Sequence, residues 1–445
     1  MAYMVATKSP IATDYFRSLG FSKVHFGILG GAPMVMMGMQ FVGALWANRL
    51  RSRRITFMVL LIAGRLIWVS VVMLPHLVPG LGSDARAAAI IGLFIVMHAL
   101  LNLGPPIWMS WMGDIIPKRV ISRYWGRRMQ WMQVVRLISN GALIPFSFYY
   151  EKLGFTLAGA FTLLVAIGVT AGVIDIVLFA WVDEPPAAPV RSRPVLSTIF
   201  EPLRHADFRR YLTWYCCFSA ALHFGGAFMQ LYVLDCLGVP LWIAVFIWWT
   251  FGIGSAASSG FWGRMIDRHG SRPVMIVCTV LKPMSPLVFM LMTRGLAPIV
   301  LPVFFLLDSC LNSGWMLATN GFMLRVAPRE NRGMFTAAMA SLPSFCAGLA
   351  AIAAGFLLRA WEGTAVEFAG KTWTSFHFLF LLCAILRASC IPLALRVREP
   401  RSDGPRHVLA AIAGILPLRL RSLPVTADDP DGSDRNEGQD GARNA

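Results

Sequence analysis

Trp262 to Pro273 reads WGRMIDRHGSRP and lies between two long apolar runs. It gathers Arg264, Arg268, His269 and Arg272 around one acid, Asp267, and two glycines, Gly263 and Gly270. A charged knot this short between apolar runs is what a turn at a membrane surface looks like, with a spanning helix on each side. Gly263 is expected to let helices approach closely and Gly270 to permit a tight turn.

The rest of the chain extends that pattern. Of its 445 residues 56% are hydrophobic and 14% charged, against about 45–50% and about 25% in an ordinary soluble domain. A helix crosses the hydrocarbon core with roughly 20 apolar residues. Eleven such spans are expected, at 24–47, 55–78, 87–113, 131–151, 155–182, 211–234, 238–262, 274–294, 298–322, 333–358 and 374–397. The net charge of +17 does not point to nucleic acid, because the basic residues sit in the short connections between spans, where membrane topology alone explains them. The eight cysteines all lie at Cys216 or later and have no metal-ligand spacing, so they read as apolar filler and neither metal nor cofactor is expected.

The connections alternate. NRLRSRR (48–54), PKRVISRYWGRR (117–128), the 183–210 segment, RMIDRHGSR (264–272) and RVAPRENRG (325–333) are basic. The segments 79–86, EKLG (151–154), DCLG (235–238), TRGL (293–296) and 359–373 are poor in Lys and Arg. The basic set is therefore expected in the cytoplasm, with the C-terminus on the same side.

The Pro-rich stretch DEPPAAPVRSRP and the amphipathic LSTIFEPLRHADFRR make 183–210 a cytoplasmic linker between an N-terminal bundle, 1–182, and a C-terminal bundle, 211–397. The tail, 398–445, carries HVLAAIAGILPLRLRSLP (407–424), an interfacial helix by composition, before a largely disordered end. The bundles repeat each other. LLNLG (100–104) recurs as CLNSG (310–314), with 312 − 102 = 210, and Pro117 as Pro328, with 328 − 117 = 211. Gly20 recurs as Gly238, with 238 − 20 = 218, and Asn48 aligns with Asp267, with 267 − 48 = 219. Repeated helical bundles suggest a secondary transporter whose substrate sits between them near the midplane.

These residues resemble the major facilitator superfamily, whose two six-helix bundles each carry a G-x-x-x-D-R-x-G-R-R motif between the second and third helices. Gly263, Asp267, Arg268, Gly270 and Arg272 fit the second copy. The stretch 114–128, from Asp114, resembles a bacterial sub-branch with an R-G-R-Y-F-G-R-R loop; Ile121 and Ser122 replace its first Arg-Gly, which Arg332-Gly333 keeps in the second half. The resemblance implies a cytoplasmic gate at these loops, joined by Arg49. The first copy departs from the motif, with Asn48 in place of the acid and Arg51 in place of the second glycine. It also implies twelve spans, of which eleven are visible in this all-α polytopic chain. Aligning the halves sets Tyr211–Leu234 opposite about −7 to 16 (211 − 218 and 234 − 218), so residues 1–20 read as the trailing end of a first helix, and the start of translation is expected upstream of Met1.

An ionisable group at a span centre costs about 2.5–3.5 kcal/mol, so each needs a reason. Asp308 lies near a span centre with Asn312 one turn on; His98 and Asn102 repeat that spacing in the first half; His223 and Gln230, seven apart, share a face. In the family the first and fourth helices of each half line the cavity, so these six are candidates for it, Asp308 as a proton or cation site. Interhelical hydrogen bonding is the competing role, and the stronger one for the two histidines. Arg65 and Lys282 occupy corresponding spans and are weighed as a positive cavity wall against a structural pair, the latter being favoured. Arg136 and Asp175 are expected near the cytoplasmic side, snorkelling or paired. Small residues spaced by four, at Gly27/Gly31, Gly252/Ala256/Gly260 and Ala347/Ala351/Gly355, are expected at close helix contacts.

The reading that results is a secondary transporter of a small solute in a cell membrane, the inner membrane if the source is bacterial. It is expected to work by alternating access as a monomer, with no partner beyond substrate and lipid. A non-transporting receptor or assembly factor of the same fold is the alternative. No nucleophile–base or metal constellation points to an enzyme, and no Walker loop to ATP.

Overall fold

The computed structural model describes residues 3, 9–47, 50–116, 121–185, 203–326, 332–368, 371–399, 402, 404, 406 and 408–410. Asn48, Arg49, most of the 183–210 linker and the tail beyond 410 lie outside the described residues, as does the side chain of Arg332.

The first half runs α1 (Pro10–Ser18), α2 (Lys23–Val35), α3 (Met39–Ala47), α4 (Arg53–Leu77), α5 (Ser83–Ile115), α6 (Ile121–Tyr149) and α7 (Leu157–Val177). The second runs α8 (Ala206–Asp235), α9 (Leu241–His269), α10 (Ser271–Leu281), α11 (Met284–Leu291), α12 (Ala297–Val326), α13 (Arg332–Ala360), α14 (Ser375–Ser389) and α15 (Ile391–Leu395). Between α13 and α14 a hairpin pairs β1 (Ala365–Phe368) with β2 (Lys371–Thr374), Ala365 opposite Thr374. That hairpin falls in the 359–373 segment, for which the sequence reading has no strand.

Local chemistry sets the ends. Ser52 and Thr156 cap α4 and α7 by accepting from the amides of Ile55 and Gly159. Gly270, at φ +94°, takes the left-handed turn between α9 and α10 that a side chain would resist, and a Cβ there would strike Ser402. Proline explains the break between α10 and α11. Pro286 has no N–H to give the Lys282 carbonyl, which accepts instead from Ser285 N at 3.3 Å and Arg387 Nη1 at 3.1 Å.

Among the described residues ten helices are long and apolar enough to cross a membrane, α2–α3, α10–α11 and α14–α15 each counting as one. That is one fewer than the eleven expected. The 131–151 span lies within the 29-residue α6, which is not among the ten because Gln130, Gln133, Arg136, Ser139 and Asn140 dilute its apolar content. The nine-residue α1 buries Ile11, Tyr15 and Phe16 and packs on α7, α8 and α9.

The core divides unequally. One cluster draws from both halves, joining Tyr15, Phe16, Phe94 and Phe161 to Phe228, Tyr232, Phe289 and Phe380. It lies toward the short, Lys/Arg-poor loops. Toward the basic loops there are two separate clusters. One holds only first-half residues, such as Phe57, Trp108 and Trp111; the other holds second-half residues, such as Tyr211, Trp262 and Phe322, with Phe41 at its margin.

Candidate functional site

At the basic-loop end each half is tied to itself. Glu184, just past α7, accepts from Ser52 Oγ at 2.7 Å and from the amides of Arg53 and Arg54, so its carboxylate sits on the positive N-terminus of α4. Burial pushes the Glu184 carboxyl up, but these hydrogen bonds and the Arg53 charge outweigh it and hold it below the usual range. Arg53 is buried and pairs with Asp114 at 2.6 Å, which ties α4 to the end of α5. The second half repeats the device. Glu399, past α15, accepts from the Arg272 amide at 2.6 Å, at the start of α10, and from Arg325 Nη1 at 2.9 Å. Arg325 also donates to Ile266 O at the end of α9.

Sequence reasoning misses this pair of carboxylates, although a signal for it exists: Val182-Asp183-Glu184-Pro185 recurs as Val397-Arg398-Glu399-Pro400, with 399 − 184 = 215.

The loop residues expected as a gate are therefore divided. Gly270 and Arg272 serve the Glu399 cluster, and Asp114 holds Arg53. Asp267 and Arg268 stand exposed, and Asp267 forms no ion pair among the described residues. Gly263 is not a close-approach site, since a Cβ there would meet nothing within 4 Å. The same holds for Gly252; α9 meets α12 through Gly254, packed on the Leu306 carbonyl, and Gly314, packed on the Trp262 ring.

Mid-span, Asp308 is not the lone acid expected. Lys282 on the adjacent span donates to its Oδ2 at 2.9 Å and Ser285 to its Oδ1 at 2.7 Å. The Lys282 side chain is 4% exposed and that of Asp308 15%, so the two charges face each other inside the bundle. Arg387 completes the cluster with backbone contacts to Ala221, Leu222 and Lys282. The first-half counterpart of Lys282, Arg65, pairs with Asp175 at 3.3 Å and lies over the Tyr3 ring.

The hydrogen-bonding candidates do not converge. Asn102 accepts from Gln40 at 3.2 Å and donates to the His98 carbonyl, which joins α3 to α5. His98 is buried. His223 donates from Nδ1 to Ser219 O at 2.9 Å. Gln230 accepts from Thr13 across the halves, as part of the closed end. Asn312 is half-buried and has no side-chain partner among the described residues. Arg136 is not placed near a helix end. It lies midway along α6, half-buried, and its guanidinium makes no hydrogen bond or ion pair among the described residues.

Polar contacts between the halves lie toward the short-loop end and near mid-span, where Ser341 donates to the Met37 carbonyl at 3.2 Å. Arg17 pairs with Asp235, Lys23 with Glu362 at 3.2 Å, and Trp249 donates to Leu137 O at 3.1 Å. Here the small-residue expectation holds for α2 and α13: Gly27 faces Gly355, and Gly31 faces Gly348.

Comparison with known proteins agrees with this layout. The profile of the Major Facilitator Superfamily matches residues 1–342 and 242–426. The fold superposes on a point mutant of the nucleoside transporter NupG, with a TM-score of 0.68 and 12% identity over 89% of this chain and 96% of that one. It superposes on a D-xylose-proton symporter at 0.62, with 13% identity over 89% and 94%. A bacterial homologue of the human lysosomal transporter Spinster, inward-facing and occupied, follows at 0.59, with 14% identity over 91% and 96%. No curated sequence relative matches. At these identities the solved structures speak for the fold, while the profile covers nearly the whole chain: the protein is a multi-pass membrane transporter by family, and the chain belongs to the major facilitator superfamily.

Proposed function

We propose that the chain is a secondary active transporter that moves a small solute across a cell membrane by alternating access. One observation carries this: the halves share a single core toward the short-loop end and keep separate cores toward the basic-loop end. That is the shape of a carrier open on one side. The Lys/Arg bias assigns the open side, and the C-terminus with it, to the cytoplasm. The bodies that rock are 1–182 and 211–397, linked by 183–210, and the carrier works as a monomer. In the opposite state the exposed Asp267 and Arg268 would meet the first-half loop around Asn48 and Arg49, with Arg332 nearby. The receptor or assembly-factor alternative draws no support from the solved neighbours, which are transporters.

Proton coupling is assigned to Asp308. Protonation would free Lys282 and Ser285 and loosen the contact of α10–α11 with α12. Solute flux into proteoliposomes reconstituted with the full chain tests transport itself. Asp308→Asn is expected to flatten the pH dependence of that flux, and an unchanged profile would remove the coupling role while leaving transport intact.

A further inference from the structure

The intramembrane charges do not balance. Among the described residues, Arg65, Arg136, Lys282 and Arg387 face only Asp175 and Asp308. Arg387 is satisfied by three backbone carbonyls. The Arg136 guanidinium is satisfied by nothing among the described residues.

Its face of α6 is distinctive. Gln133, Arg136, Ser139 and Asn140 are half-buried and lead up to buried Leu143 and Ser147, while Trp131, Val134, Val135, Leu137 and Ile138 are exposed. The internal repeat shows what this face ordinarily does. With the offset of 211 set by Pro117 and Pro328, Arg136 corresponds to Ala347 (347 − 136 = 211), Asn140 to Ala351, Leu143 to Ala354 and Ser147 to Leu358. All four second-half residues are buried, on a helix that packs closely against α8. The first half thus places an arginine and an asparagine where its twin has two packed alanines.

Arg136 stands 15 residues from the start of α6, and Asn312 stands 14 from the end of α12, about 21–22 Å from the basic-loop end in each case. Both residues therefore lie near mid-span, and the Leu137 carbonyl next to Arg136 accepts from Trp249 of the other half.

We propose that the transported solute is an anion, bearing a carboxylate or phosphoryl group, and that Arg136 binds that group with Gln133 and Asn140 beside it. A guanidinium in this setting needs a counter-charge, and its fork of donors matches a carboxylate or phosphate. The inference rests on the transporter reading, so its test has an arm independent of flux.

Purified full-length chain is to be challenged with lactate, succinate, glycerol 3-phosphate, xylose and uridine, read both as a shift in Tm and as flux in proteoliposomes. At least one anion is expected to raise the Tm of the wild type by about 2 °C or more, and to lose that effect in Arg136→Gln. Affinity should fall at least about tenfold in Arg136→Gln and recover in part in Arg136→Lys. If Arg136→Gln does not fold, Arg136→Lys and Asn140→Ala carry the comparison, each with weakened anion binding expected. An anion shift that survives Arg136→Gln, or shifts by neutral solutes alone, or no anion shift at all, overturns the proposal. An Arg136-dependent anion shift without flux of any solute supports it and counts against transport alone.

Discussion

The two ends of this bundle are built differently from similar parts. Toward the short loops the halves meet through backbone: a Cβ on Gly348 would lie 2.6 Å from the Gly31 carbonyl and 2.9 Å from the Val35 amide, and one on Gly27 would lie 2.9 Å from the Ala351 carbonyl. Toward the basic loops each half satisfies its own charges, through Glu184 in the first and Glu399 in the second. A self-contained end can part from its twin without leaving carboxylates or guanidinia orphaned. The glycine-lined end is also crossed by two partly exposed ion pairs, Arg17–Asp235 and Lys23–Glu362. The difference teaches that the buried charges of the basic-loop end are spent within each half, while the short-loop end is joined by close backbone contact with two partly exposed ion pairs beside it.

The largest test of that contrast is to fill a glycine. Gly348→Leu sets a side chain against main-chain atoms that cannot move aside, and overpacking of this kind costs about 3 kcal/mol. The closed short-loop end should then be populated about a hundredfold less relative to the open one. A Gln230→Cys probe in a Cys236→Ser background reads this directly, because Gln230 lies within the closed end, accepting from Thr13 across the halves. Labelling by an impermeant maleimide added on the short-loop side should rise steeply in Gly348→Leu. An unchanged rate would mean that the glycine contacts do not decide closure.

Smaller effects are expected at the basic end, and they should differ between the halves. The Glu399 side chain is 1% exposed, so Glu399→Gln removes charge from a buried carboxylate with two donors, worth about 2 kcal/mol. Glu184 is less buried, and Glu184→Gln should cost about 1 kcal/mol. The pH dependence follows from the depressed Glu184 pKa. Its stabilising effect is present above the unfolded carboxylate value, about pH 4.3, and is lost as pH falls through the lower folded value. Tm measured down that range should fall in the wild type and fall less in Glu184→Gln. Parallel curves for the two proteins would contradict the capping role.

How far the sequence foretells this architecture depends on the range of the interaction concerned. Spans, loop polarity, the internal repeat and the turn at Gly270 are properties of adjacent residues, and they are legible. The Glu184 and Glu399 caps are legible too, as a repeated Val-x-Glu-Pro after the last span of each half, but the more heavily charged loop motif overshadows them. Partnership between helices is another matter. Asp308 looks solitary because Lys282 is 26 residues away on the preceding span, and only packing brings them together. Gly263 and Gly254 are both small residues on α9, and spacing cannot say which one meets α12. The face of α6 carrying Arg136 acquires meaning only once its counterpart, Ala347 and Ala351, is seen buried on a helix packed between others.

The smallest predicted effect sharpens the contrast most. Lys23 and Glu362 join the halves at the short-loop end, yet the Glu362 side chain is 63% exposed, and Lys23 has a second resting place over the Phe376 ring at 5.5 Å. An exposed pair of this kind contributes about 0.2–1 kcal/mol and is screened by salt. Glu362→Gln should therefore shift the open-to-closed balance by less than about fivefold at low salt, and the difference from wild type should vanish near 0.5 M salt, about where screening reaches contact distance. The Gly348→Leu effect, being steric, should not respond to salt. If Glu362→Gln opened the short-loop end as far as Gly348→Leu does, closure would be electrostatic after all. The ordering of the two ends, with charge kept within the halves and shape between them, would then have to be reversed.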